Sequence, residues 1–160
     1  MKLILVLVAA ASAGGVKAHD VPREITIAWD CGDPLTPFAW QSVKPSVPDT
    51  DAVYRLANAI LCASKTDELV GDVTRQLEDV VSHSSYGTGD AAEEFRILRK
   101  ARAAEYVHYF EGSSEWTYEV VVRPDGEIEL VASNEACVDV TNLRHRNGQW
   151  WIYEVGDACD

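Results

Sequence analysis

Cys137-Val-Asp-Val-Thr-Asn-Leu-Arg-His-Arg-Asn-Gly-Gln-Trp-Trp-Ile-Tyr-Glu-Val-Gly-Asp-Ala-Cys159 decides the fold. Two strand-like runs flank Asn147-Gly148, and a cysteine stands at each outer end. Asn and Gly tolerate positive φ, which marks a hairpin turn. The cysteines set the register. A three-residue loop of Asn147, Gly148 and Gln149 pairs Cys137 with Cys159, Thr141 with Val155 and Leu143 with Tyr153. A two-residue loop puts the cysteines one step apart, on opposite faces. The longer loop is therefore expected, with a Cys137–Cys159 disulfide across the open end.

Outward from this hairpin lies a second one. Trp116-Thr-Tyr-Glu-Val-Val-Val122 turns at Pro124-Asp125-Gly126, where Pro presets φ and Asp and Gly complete the turn. Tyr106 to Phe110 reads as the first strand of the same meander. Near the N-terminus, Ile25, Ile27 and Trp29 alternate with smaller or polar residues, the pattern of a half-buried strand. Cys31 to Asp49 carries Pro34, Pro37, Pro45 and Pro48 and is expected to be irregular.

Three helices are expected between. The first runs from Asp49 or Thr50 to about Ser64, with Val53, Leu56, Ala57, Ile60 and Leu61 as its stripe. The second starts at Thr66, buries Leu69, Val70, Val73, Leu77, Val80 and Val81, and stops at His83. The third starts at Asp90, with Phe95, Leu98 and Ala101 on one side. Cys62 pairs with Cys31 once the hairpin has taken the other two cysteines.

Met1-Lys2, an apolar run from Leu3 to Ala11 and small residues to Ala18 have the form of a secretory signal peptide over 1–18. A single α+β domain over 19–160 follows. Losing Lys2 and Lys17 takes the formal charge from −12 to −14. That charge argues against nucleic acid and anionic membrane as partners and permits a basic protein partner, although a solvated acidic surface also accounts for it. No run reaches the roughly 18 apolar residues of a membrane span. Four cysteines without Cys-x-x-Cys fit structural disulfides in an oxidising compartment, secreted or periplasmic.

The histidines His19, His83, His108 and His145 form no metal motif. A mature N-terminal His19 offers an amine and an imidazole to copper, against the simpler reading of a frayed end. Neither a metal nor a cofactor is expected, and no catalytic set is assigned. Asp139, Glu154, Glu119 and Glu129 lie in strands, where solvent-facing alternation explains them as well as acid–base work. The aromatics point to binding. The assumed register puts Trp151, Tyr153, Val155 and Leu143 on the core side. Trp150, Ile152, Val138 and Val140 then share the other face, with Arg144 and Arg146 across from them. Either another segment such as Phe38–Trp40 covers that face, or it meets a partner. Trp150, Ile152, Arg144, Arg146, Val140 and Trp40 are the candidate contacts.

The closing stretch Arg146-Asn-Gly-Gln-Trp-Trp-Ile152, after helices and a meander, resembles the end of cystatin-like or nuclear-transport-factor-like cone domains. The resemblance implies a curved sheet around a helix, with a space between them that binds small molecules, supports acid–base catalysis or is filled. The three helical segments, the N-terminal strand and the Pro-rich arm are additions to that pattern. Two functions follow. The leading one is a non-catalytic binding protein of inhibitor or immunity type that recognises another macromolecule. The alternative is a pocket domain for a small apolar ligand or acid–base chemistry, with Trp116, Tyr118, Trp151 and Tyr153 around a cavity.

Overall fold

The computed structural model describes residues 23–32, 35–43, 47–87 and 94–160. The N-terminal segment through Ala18, His19 and the start of the third expected helix lie outside these residues, as does the side chain of Phe38. The elements in chain order are β1 (Ile25–Trp29), α1 (Leu35–Gln41), α2 (Thr50–Leu61), α3 (Asp67–Arg75), β2 (Leu77–Gly87), β3 (Glu94–Arg99), α4 (Lys100–Ala103), β4 (Thr117–Val122), β5 (Ile128–Ser133), β6 (Cys137–Arg146) and β7 (Gln149–Cys159). Among the described residues the strands form one sheet in the order β1-β4-β5-β6-β7-β2-β3. The β4–β7 meander is antiparallel as expected, while β2 joins β7 in parallel. This is the α+β fold anticipated, with both disulfides, Cys31–Cys62 and Cys137–Cys159.

One face of the sheet packs on the helices. Val120, Ile128, Leu130, Leu143, Ile152 and Val155 are buried there against Trp40, Val53, Ile60, Leu61 and Val73. The α2 stripe is the expected one, and all five of its residues are buried. Pro37 falls in the first turn of α1, where the missing N–H has no intrahelical role. The stretch after Cys31 is thus partly helical. Thr66 caps α3 by accepting from Leu69 N at 3.2 Å.

The register of the closing hairpin reconciles two constraints that looked exclusive. The turn is the two-residue one, with Asn147 and Gly148 at φ 53° and 81°, the hairpin turn that needs positive φ twice. Arg146 pairs with Gln149, Arg144 with Trp151 and Leu143 with Ile152. A β-bulge at Tyr153 then shifts the count, so Asn142 meets Glu154, Thr141 meets Val155 and Cys137 meets Cys159. The cysteine pairing is as expected, but the three-residue loop and the Leu143–Tyr153 pair are not. Every face assignment between Gln149 and Tyr153 is reversed.

Three elements differ from the sequence reading. The second helix ends at Arg75, and Leu77–Gly87 is strand β2. Leu77 and Val81 satisfy both helical and strand spacing, and pairing with β7 decides, beginning where Ile152 N donates to Gln76 O at 2.8 Å. Glu94–Arg99 is strand β3, not helix; α4 starts only at Lys100. Tyr106 to Phe110 joins no strand. Its backbone is taken by the end of α2, with Phe110 N on Ile60 O at 3.1 Å and Gly112 N on Leu61 O at 2.9 Å.

Candidate functional site

The bulge redistributes the residues picked from sequence. Trp150 and Ile152 belong to the core, 2% and 0% exposed, with the Trp150 indole donating to Pro48 O at 2.9 Å. Trp40 is 1% exposed and donates to Thr50 O at 3.0 Å. The expected shared face of Trp150, Ile152, Val138 and Val140 therefore does not exist. Arg144 and Arg146 do not cover Trp150. Arg144 binds Glu78 with Nε–Oε1 at 2.6 Å and stacks 4.6 Å from the Tyr153 ring centroid, and Arg146 reaches Glu78 at 4.0 Å. Of the apolar candidates only Val140 lies on the open face, beside Val138, and Arg144 follows on the same face of β6. Trp116 and Tyr118 pack with Phe110, while Trp151 and Tyr153 are on the opposite side of the sheet, so the four rings do not line one cavity.

The open face is set by three rungs of cross-strand neighbours. Val138, Ala158 and Tyr86 form the first; Val140, Gly156, Ser84 and Phe95 the second; Asn142, Glu154, Ser82 and Ile97 the third. Phe95, Ile97, Tyr86 and Val138 are 60%, 59%, 46% and 40% exposed. Small residues make a floor between them. A Cβ on Gly156 would stand 2.6 Å from Ser84 Oγ and 3.0 Å from Ser84 O, so only glycine lets β2 approach β7 this closely. The result is a trough of about 180 Å³, walled by Tyr86, Val138 and Val140 and ending at Asn142 and Glu154. Sequence reading found Val138 and Val140 but missed Phe95 and Ile97, because it placed them on a helix.

A polar cluster occupies the opposite, helix-covered face at the disulfide end of the sheet. Asp139 and Asp157 are direct cross-strand partners. His108 Nδ1 bonds Asp139, whose residue is 7% exposed. Ser85 Oγ donates to Asp157 at 3.0 Å, and His83 Nε2 stands 3.6 Å from the same carboxylate. His83 is 4% exposed and lies 4.3 Å from Tyr106, ring to ring. The hydrogen bond that the His108 imidazolium donates to the Asp139 carboxylate raises the His108 pKa above the ordinary histidine value. Burial pushes the Asp139 carboxyl up, and the His108 contact opposes that. An imidazole oriented by a carboxylate can pass a proton. The Asp139–Asp157 pair follows from the cysteine register two residues inward, a signal present in the sequence; His83 and His108 come from segments no local pattern places there.

Among the described residues no group of three or more His, Cys, Asp or Glu could hold a metal ion, and no helix is long and apolar enough to cross a membrane. Comparison with known proteins gave no match to any family model, curated protein or solved structure.

Proposed function

We propose that the protein is an exported, non-catalytic binding protein that docks another protein on the open face of its sheet. One observation carries this reading. Phe95, Ile97, Tyr86 and Val138 stand out of one sheet face around a floor of glycine and small residues. Large apolar side chains grouped on a flat surface mark interaction sites more often than chance exposure. Among the described residues β3 is the outermost strand of the sheet, and it borders the patch. The signal-like N-terminus and the two disulfides support export to an oxidising compartment. An inhibitor or immunity role suits a small crosslinked domain of this kind.

The test is capture from the native exported fraction with the mature protein as bait. A variant carrying F95S and I97S should fold, because both side chains face solvent, and should lose the captured protein. Equal capture by the variant overturns the docking face.

The Asp139–His108 contact favours a second reading, acid–base chemistry in a domain of the cone type. The hairpin β2–β3 leading through α4 into a four-stranded meander supports the resemblance in architecture. If this reading holds, a turnover assay on a panel of small carbonyl and ester substrates should show activity that H108A removes. No turnover across the panel counts against it.

A further inference from the structure

We infer that the trough on the open face is a socket for one basic side chain, lysine or arginine, of the partner protein. The inference rests on the docking reading above and names the chemistry of what docks. The acids on this face are treated unequally. Glu78 is bound by Arg144, and Glu129 by Arg123. Glu154 has no cation partner among the described residues; it accepts only the Asn142 amide, Nδ2 to Oε2 at 2.8 Å.

That bond also settles the amide. A carboxylate can only accept, so the nitrogen of Asn142 must face Glu154 and the oxygen must point away from it. Asn142 is 6% exposed and its Oδ1 has no hydrogen-bond partner. A buried acceptor without a donor is costly; this oxygen has no open surface, while the residue and the unneutralised Glu154 carboxylate both line the trough. A carboxylate without a cation at one end of an apolar slot calls for a ligand that donates, with an apolar stem behind its head. Lysine and arginine have that construction. Their methylenes fit between Val138 and Val140, over Gly156. A chain of formal charge −12 favours a basic partner over an acidic one.

The experiment follows the Asn142 side-chain amide and the Gly156 and Ala158 backbone amides by NMR in the full mature protein. The probes are Nα-acetyl-arginine amide, Nα-acetyl-lysine amide and the uncharged Nα-acetyl-norleucine amide. The two basic probes should shift all three signals, and norleucine should not. E154Q keeps the shape and should weaken binding about tenfold, as loss of one charge-assisted bond does. E119Q, an exposed acid on the same face, should change nothing. A158L fills the slot and should abolish the response, with the amide spectrum showing that it folds. Equal shifts with norleucine, or undiminished binding by E154Q, overturn the socket. So does a concentration-dependent dimer that buries these signals without probe. Partner capture lost in the F95S/I97S variant but kept in E154Q leaves the docking face standing and removes the socket. Capture kept in both removes the docking face itself.

Discussion

Trp150 shows how much one residue's placement decides. Read on an open face it is a contact; in the core it is a strut, 2% exposed and hydrogen-bonded to Pro48 O. Trp150→Ala should therefore cost about 3–5 kcal/mol of stability, read from the denaturant midpoint. Loss of binding in that variant would report unfolding, not a lost contact. His108 is the residue to titrate. Its folded value is raised by the bond to Asp139, so the pair stabilises the fold below the unfolded histidine value of 6.5 and loses that contribution as pH rises through the folded one. Asp139, raised by burial, acts in the same sense at lower pH: the folded form holds the proton more tightly, so stability falls as that carboxyl ionises. A thermal melt series should decline with rising pH above 6.5, and H108A should flatten that segment. Asp139→Asn should bring the His108 titration down toward the ordinary value, seen in the imidazole NMR signals.

At the scale of elements, the closing hairpin was legible and its bulge was not. Asn147-Gly148 announces its turn type through local φ preferences, and Cys137 and Cys159 announce their pairing through distance. Each signal was right. Only an extra residue between them satisfies both, and nothing in the side chain of Tyr153 marks it as that residue. The sequence reading kept the cysteines and gave up the turn, so Trp150 and Trp151 exchanged faces. Strands β2 and β3 were hidden for another reason. Leu77 and Val81 fit a helix four residues apart as well as a strand, and their true partner, β7, lies some seventy residues on. The trough inherits that blindness, since one of its walls, Tyr86, and part of its floor, Ser84, come from β2. Two tests belong here. Gly156→Ala forces a Cβ to within 2.6 Å of Ser84 Oγ and should cost about 1–3 kcal/mol; adding Ser84→Ala should recover part of that, the backbone oxygen still being close. Replacing Cys137 and Cys159 by serine should cost about 3 kcal/mol, in a chemical denaturation curve under non-reducing conditions.

Over the whole molecule the two faces of the sheet have separate tasks. The helix side carries the core and, at the disulfide end, the Asp–His cluster. The other side carries apolar rings among acids, two of which are neutralised internally. The proposed partner binding through Glu154 should weaken steeply between low and physiological salt, measurable by calorimetry with the captured partner. Stability should respond far less, because the buried apolar area does not depend on screening.

The strand encoded latest, β7, is hydrogen-bonded on both sides, to β6 and to β2. Synthesis delivers the keystone after the stones it must hold. The hairpin of β2 and β3 has no place in the sheet until Gln149–Cys159 is present to pair with β2, so the sheet closes only when the chain has been delivered through its last strand.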